Sequence, residues 1–227
     1  MITFGEVVLY VYSFLTRSVE VSGGLVDSAE IEFFSKLQEL IKARRPVHLS
    51  KTISKICGGD ARYDDENRNV VAAAVLFKDG KRSQSSVYRG TFTYPYVPGL
   101  MYLHEGPFAV SAVEKLVEKP DLVCFDAHGI AHPRSAGLAT ICGMVLGIPS
   151  IGIAKTLLVG KEVTSKERFS EIVYGRKRVG FSTHMLGKRY WSPGFSVTVR
   201  QLKAIVSEYG KTCLGSVAEA DRMSRKS

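Results

Sequence analysis

The sequence predicts an α/β protein in which a mixed β-sheet is flanked by helices. In the first half, apolar strand candidates are joined by a tight-turn signal, which is typical of antiparallel pairing. In the second half, helical and strand patterns alternate, which is typical of parallel β-α-β units. Hydrophobic residues make up 45% and charged residues 23% of the 227 residues, as in ordinary globular chains. We expect residues 1–26 to form an N-terminal extension and residues 27–227 a single domain.

The first-half pattern predicts one helix and three antiparallel strands. Asp27 and Glu30 have the spacing of a capping box, and apolar residues recur at helical spacing behind them. Asp79-Gly80 is a strong signal for a hairpin turn. The predicted elements are a helix over 28–44 and strands over 52–59, 70–77 and 83–92.

The second half predicts alternating helices and short strands. Pro107 can open a helix, and Pro120 ends it. Asp121 and Asp126 bound a short apolar strand. The predicted elements are helices over 107–119, 134–146 and 196–209, and strands over 121–126 and 149–154, near 171–182 and over 188–192.

The charge indicates a polyanionic partner. The chain carries 31 Lys plus Arg against 22 Asp plus Glu, a net charge of +9. Residues 155–189 hold nine basic and three acidic residues, so this stretch supplies +6 of the total. Cations that neutralise phosphates release counterions, which favours nucleic-acid binding. A solvated surface remains the alternative for any single member of the stretch.

The cysteines and the N-terminal apolar run bear on location. Cys57, Cys124, Cys142 and Cys213 are far apart, and we expect reduced, mostly buried thiols in a cytoplasmic protein. The run from Val7 to Leu15 has nine residues and no preceding Lys or Arg. A membrane span needs about 20 residues and a signal peptide a basic start, so we expect neither.

Three carboxylates fall where predicted elements begin or end. Asp60 directly follows the first predicted strand, Asp126 ends the strand over 121–126, and Glu105 immediately precedes the predicted helix at Pro107. If these strands are neighbours, the three acids converge on one rim of the sheet. Such oxygen ligands suit Mg²⁺ or Mn²⁺ and phosphodiester hydrolysis. Each acid taken singly can also be a cap or turn residue.

Three further motifs bear on zinc, nucleoside triphosphates and base stacking. His128 and His132 have the i, i+4 spacing of zinc helices, but Gly129 and Pro133 predict a loop there. P-loop spacing at residues 147–152 lacks the required lysine, which excludes that site. The segment Tyr94 to Gly99 places aromatics between prolines and can present a ring to a base. Alternatively, its tyrosines cover the core.

Three motifs together resemble the endonuclease V family. They are Pro95-Tyr96-Val97-Pro98-Gly99-Leu100 followed by His104-Glu105-Gly106-Pro107, Phe125-Asp126-Ala127-His128-Gly129-Ile130-Ala131-His132-Pro133-Arg134, and Gly147-Ile148-Pro149-Ser150-Ile151-Gly152-Ile153-Ala154-Lys155. The resemblance spans roughly residues 55–225. It implies an RNase H-like fold and an enzyme that uses Mg²⁺, replaceable by Mn²⁺. The implied reaction is hydrolysis of the second phosphodiester bond 3′ of a deaminated purine, chiefly hypoxanthine, which initiates DNA repair.

The resemblance also implies roles for individual residues. Asp60, Glu105 and Asp126 match the metal-binding carboxylates, Asp221 a further ligand in the last helix, and Lys155 a lysine near the scissile phosphate. Tyr96, with Pro95, Val97 and Pro98, matches the wedge that fills the gap left by an extruded base. Gly99, Gly129 and His132 are the remaining implied nucleic-acid contacts.

Two departures and several alternatives accompany the resemblance. Ala127 stands where the family usually has glycine, and Phe195 where histidine is common. The expected substrate is DNA with deaminated bases or inosine-containing RNA, which differ in their 2′-hydroxyls. A non-catalytic lesion-binding module is the alternative to an enzyme, although clustered acids facing phosphate favour catalysis. We expect a monomer with no membrane partner.

Overall fold

The computed structural model describes residues 28–44, 52–64, 66–92, 94, 96–163 and 169–226. The predicted cap at Asp27 and the extension over 1–26 lie outside these residues, and the domain organisation stays a prediction. The helices are α1 (Ser28–Arg44), α2 (Met101–Glu114), α3 (Leu138–Leu146) and α4 (Val199–Lys226). The strands are β1 (Lys55–Asp64), β2 (Asn69–Lys78), β3 (Lys81–Thr91), β4 (Leu122–Phe125), β5 (Ser150–Ala154), β6 (Lys161–Val163), β7 (Ser170–Tyr174), β8 (Lys177–Thr183) and β9 (Arg189–Pro193).

The described strands form one mixed sheet with the order β3-β2-β1-β4-β5-β9-β8-β7-β6. Strands β1, β2 and β3 pair antiparallel, as predicted, and the turn at Asp79-Gly80 has positive φ at both residues. Strands β1, β4 and β5 are parallel. The predicted mixed α/β sheet is therefore confirmed. The sequence did not reveal β6, which has three residues and largely exposed side chains.

Helices cover both faces of the sheet. Side chains of α1, α2 and α3 share one apolar core with Cys57 and Val123, which point to that face. Helix α4 builds a second core with Ile56 and Cys124, which point to the opposite face because side chains alternate along a strand. Among the described residues, no helix is both long and apolar enough to cross a membrane.

The first strand is longer than predicted, so Asp60 lies inside β1 and not at its end. Asp60 is paired with Ala73 of β2, and β1 continues to Asp64. Gly58, inside the same strand, has a packing role. A Cβ at Gly58 would lie 2.1 Å from the backbone carbon of Ser216, so glycine allows α4 to cross directly over β1.

Helix α2 begins six residues before the predicted start, so Glu105 is helical and Pro107 lies inside the helix. A proline normally favours the first helical turn. Here the burial of Tyr102, Leu103 and His104 favours the earlier start and outweighs the helix hydrogen bond that Pro107 cannot make. The prediction that Glu105 precedes the helix is wrong.

Helices α3 and α4 also differ from the prediction. Helix α3 begins at Leu138 instead of residue 134, which leaves residues 126–137 as an irregular segment between β4 and α3. Helix α4 continues past Gly210 to Lys226, although Gly disfavours a helix interior by about 1 kcal/mol. Gly210 packs against Met185, where a Cβ would come within 3.2 Å of the methionine side chain. The extension places Asp221 on the same helix.

Candidate active site

Three aspartates from distant parts of the chain meet beside the carboxyl end of β4. Asp60 comes from β1, Asp126 directly follows β4, and Asp221 lies in the last turns of α4. One carboxylate oxygen of each lies within 4.8 Å of the others, and all three side chains are half-buried. Asp60 and Asp126 meet because β1 and β4 run parallel with Gly59 opposite Phe125. The convergence of Asp60 and Asp126 predicted from the sequence is present in the fold.

These aspartates line a cleft of about 310 Å³ together with Glu105 and Lys155. Glu105 approaches from α2 and lies outside the close group of three aspartates. Lys155 follows β5, and its Nζ lies 2.7 Å from Asp126 Oδ2. The Lys155 side chain is 57% exposed, so the ammonium group also faces solvent at the mouth of the cleft.

The last turns of α4 hold two of the aspartates in place. Ser224 Oγ donates a hydrogen bond of 2.8 Å to Asp60 Oδ2. Arg225 donates from Nε and Nη2 to the two oxygens of Asp221 at 3.0 and 2.9 Å. Sequence reasoning missed both residues. Asp221, Ser224 and Arg225 have i, i+3 and i+4 spacing, which would have revealed them if the helix had been predicted to continue.

Burial and mutual repulsion raise two pKa values in the cleft. The pKa of Glu105 rises to about 8, mainly because burial disfavours the charged form and then because Asp60 and Asp126 are nearby. The pKa of Asp60 rises to about 6, again mainly through burial, with the Ser224 hydrogen bond opposing the shift. Without a cation, the cleft therefore favours partly protonated acids. A cation that displaces those protons would relieve the repulsion.

The donor set suits a hard divalent cation. Every candidate ligand is a carboxylate oxygen, which is the ligand type that Mg²⁺ and Mn²⁺ prefer. Among the described residues, the group of possible metal ligands consists of Asp60, Asp126 and Asp221, and neither His128 nor His132 belongs to it. The residues present thus fit a magnesium or manganese ion, and the sequence-based preference for oxygen ligands over zinc agrees with the geometry.

The aromatic segment, residues 94–99, lies beside the helix that carries Glu105. Tyr96 is 46% exposed, and its ring centroid lies 6.4 Å from that of His104, the residue before Glu105. Tyr94 packs edge-on against Phe34 at 6.0 Å, so this tyrosine covers the core. Val97 also packs against the core, whereas Pro98 is exposed and Pro95 lies outside the described residues. Tyr96 is therefore the exposed tyrosine among the described residues of this segment.

Gly129 and His132 lie on the segment between β4 and α3. Gly129 packs against β9, where a Cβ would lie 2.0 Å from the Pro193 carbonyl oxygen, and its N–H donates to Ser192 Oγ at 2.7 Å. His132 is 4% exposed, and burial, followed by the nearby Arg134 charge, lowers its pKa to about 4. His132 is therefore neutral at physiological pH. Close packing against β9 is therefore sufficient to explain why residue 129 is a glycine.

Part of the basic stretch is neutralised by acids within it. Lys188 pairs with Glu162 at 2.6 Å and Arg178 with Glu171 at 3.0 Å. Lys166 and Arg168 lie outside the described residues. The proposed contact of this stretch with a nucleic-acid backbone stays a prediction.

A mixed sheet with a cleft of carboxylates beside the end of β4 is an arrangement that suits a metal-dependent nuclease. A profile of the endonuclease V family matches residues 35–213. Endonuclease V of Saccharolobus islandicus is 33% identical over 178 residues, which cover 78% of this chain and 86% of that protein. The chain belongs to the endonuclease V family and is a nuclease.

Solved structures agree with this family assignment. Endonuclease V of Streptomyces avermitilis is 26% identical with a TM-score of 0.74, and the match covers 86% of this chain and 92% of the other. Endonuclease V of Ciona intestinalis, in complex with a 23mer DNA containing an inosine followed by a ribo-adenosine, is 18% identical with a TM-score of 0.76. That match covers 88% of this chain and 98% of the other and confirms the RNase H-like fold.

Proposed function

We propose that this nuclease uses Mg²⁺, replaceable by Mn²⁺, to hydrolyse the second phosphodiester bond 3′ of hypoxanthine in DNA and so initiates repair. The observation that carries the proposal is the cleft in which Asp60, Asp126 and Asp221 meet beside Lys155. Family membership supports the reaction, and the inosine-containing DNA bound by the Ciona intestinalis relative supports the substrate.

The acids of the cleft would hold the metal. Asp60, Asp126 and Asp221 offer one oxygen each to a common point, and Glu105 would add a fourth carboxylate from α2. When bound, Mg²⁺ supplies a Lewis acid that activates water and neutralises charge on the phosphate. Ser224 and Arg225 would keep Asp60 and Asp221 oriented towards that point.

Lys155 and Tyr96 would bind the nucleic acid. Lys155 is exposed at the cleft mouth, where its ammonium group can pair with the scissile phosphate in place of Asp126. Tyr96 would stack in the gap left by the extruded base, with Pro95, Val97 and Pro98 shaping the segment around it. Gly99, Gly129 and His132 would contribute the remaining contacts to the substrate.

Inosine-containing RNA is a second candidate substrate. The Ciona intestinalis relative is also found in complex with a 24mer DNA containing an inosine followed by a ribo-adenosine, so a 2′-hydroxyl stands next to the inosine in that complex. The proposal further includes a monomer in the cytoplasm. The four cysteines are buried free thiols, which suits a reducing compartment.

The deciding experiment uses end-labelled DNA and RNA strands that each contain one hypoxanthine, with and without Mg²⁺. We expect a single metal-dependent product, cut at the second bond 3′ of the lesion, and none from strands with adenine or guanine there. Binding without cleavage in Mg²⁺ and in Mn²⁺ would instead identify a lesion-binding module. Equal cutting of strands without hypoxanthine would reject the substrate assignment.

A further inference from the structure

A buried glutamine connects the aromatic segment to the segment between β4 and α3. Gln38 of α1 is 1% exposed. Its Nε2 donates to the carbonyl oxygens of Ala136 at 2.8 Å and of Gly99 at 3.1 Å. Its Oε1 accepts a hydrogen bond of 2.5 Å from Nε of Arg134. One side chain thus bonds to two segments that are 98 and 61 residues away along the chain.

The chemistry of the partners fixes the orientation of the Gln38 amide. Arginine can only donate and backbone carbonyls can only accept, so the amide oxygen must face Arg134 and the amide nitrogen must face the two carbonyls. Arg134 closes the network because its Nη2 donates to the Gly99 carbonyl at 2.7 Å. Gly99 has φ +81°, and a Cβ there would lie 2.7 Å from the same Nη2. The junction therefore tolerates little displacement of either segment.

Each segment carries residues of the proposed substrate-binding surface. Gly99 follows Tyr96 closely, in a turn where Leu100 N–H donates to the Val97 carbonyl at 2.8 Å. The other segment begins at Asp126 and includes His132, a neighbour of the Gly99 backbone. The hydrogen bonds of Gln38 and Arg134 therefore help to fix the spacing between Tyr96 and the segment that begins at Asp126.

We propose that Gln38 is a positioning residue that fixes the aromatic segment relative to the segment between β4 and α3 and so sets the discrimination between hypoxanthine-containing and undamaged duplexes. This proposal rests on the function proposed above. Extrusion of a stacked base requires the wedge and the base-accepting surface to act at a fixed spacing. Gln38 itself is buried in α1 and lies outside the acidic cleft.

Hydrogen exchange tests the positioning without any substrate. In Gln38→Leu, we expect backbone amides of residues 96–100 and 127–137 to exchange faster together, while those of β1, β4 and α4 keep their protection. Ile41→Val is the matched control, because Ile41 is buried on the same helix but belongs to the apolar core. Unchanged exchange in both segments, or the same change in Ile41→Val, would overturn the positioning role.

Cleavage and binding test the consequence for specificity. We expect Gln38→Leu to lower the hypoxanthine-to-undamaged ratio of kcat/KM on duplex by about tenfold, as expected for the loss of a few buried hydrogen bonds. The loss should be smaller on a single strand, where the base is already unstacked. Gln38→Glu, which keeps the acceptor for Arg134 but loses both donors, should behave like Gln38→Leu.

A double-mutant cycle with Tyr96→Ala separates this route from a general loss of stability. If Gln38 acts through the aromatic segment, Gln38→Leu causes little further loss of discrimination in the Tyr96→Ala background. Additive losses, or equal losses on duplex and single strand, would overturn the proposal. Wild-type protein that does not discriminate hypoxanthine would reject the proposed function, whereas the exchange measurement would still decide whether Gln38 positions the two segments.

Discussion

Ser224 donates a 2.8 Å hydrogen bond to Asp60, a residue 164 positions earlier in the chain. The bond joins the end of α4 to the middle of β1, at the point where the three aspartates meet. It opposes the rise in the pKa of Asp60 that burial causes. The last helix therefore orients a candidate metal ligand and helps to keep that ligand ionised.

Ser224→Ala should weaken Mg²⁺ binding several-fold at neutral pH, because a hydrogen bond to a carboxylate contributes about 1–3 kcal/mol and its loss raises the pKa of Asp60 further. Isothermal titration with Mg²⁺ measures the effect. Ser207→Ala is the control, since Ser207 lies on the exposed side of the same helix and donates only to the Lys203 carbonyl. Equal Mg²⁺ affinity in wild type and Ser224→Ala would contradict the role of this bond.

Asp126→Asn should lower single-turnover cleavage by about a thousandfold or more, because it removes a metal ligand, while hypoxanthine-containing DNA binds as well or more tightly once a charge facing phosphate is lost. Cleavage and equilibrium binding are measured on the same duplex. Asp121 lies at the other end of β4, where it accepts hydrogen bonds from the Ser54 and Lys55 amides. Asp121→Asn should reduce thermal stability and retain cleavage. Near-normal cutting by Asp126→Asn in saturating Mg²⁺ would exclude this assignment.

Mg²⁺ binding should strengthen as the pH rises from about 6 to 8, because the pKa values of Asp60 and Glu105 are raised to about 6 and about 8 and the metal competes with their protons. In the metal-free protein, the raised pKa of Glu105 adds to the free energy of unfolding. This contribution is complete below pH 4.5, the ordinary pKa of the group, and is lost as the pH rises through about 8. The melting temperatures with and without Mg²⁺ should therefore differ more at high pH than at low pH. Glu105→Gln should reduce the divergence, and a melting difference independent of pH would count against the shared proton and metal site.

Tyr96→Ala should weaken binding to hypoxanthine-containing duplex by roughly 5- to 150-fold, since stacking on an aromatic contributes about 1–3 kcal/mol. Undamaged duplex, held mainly through phosphates, should lose much less affinity. Tyr94→Ala serves as the comparison, because Tyr94 packs against Phe34 and its loss should lower the melting temperature. A lowered melting temperature and equal losses on both duplexes in Tyr96→Ala would place Tyr96 in the core as well.

Affinity for any duplex should decrease with salt, with a log–log slope of roughly −4 if about four cations of residues 155–189 contact phosphate. The measurement is fluorescence anisotropy at a series of salt concentrations. Lys188 and Arg178 already pair with Glu162 and Glu171. Their replacement should therefore change the slope less than Lys177→Ala does, since Lys177 is exposed and makes no ion pair within the described part of the chain. A slope near zero would leave the stretch as a solvated surface.

Local patterns in the sequence determined the kind of elements and their approximate places. Helical spacing over 28–44, the apolar run of β2, the Asp79-Gly80 turn and the short apolar strand before Asp126 all depend on neighbours within a few residues. The family and its acidic residues could also be inferred, because the motifs around Tyr96, Asp126 and Lys155 are contiguous segments. These features are visible without knowledge of the fold.

Only the tertiary structure decided how the acids are held and that Glu105 lies outside the close group of three aspartates. Gly58 lets α4 cross β1, and this crossing brings Asp221 and Ser224 to Asp60. Gln38 likewise shows no local signal, since its partners lie 61 and 98 residues away. Long-range packing and burial of polar groups depend on contacts that no window of neighbouring residues contains, and those contacts shape both the acidic cleft and the junction beside it.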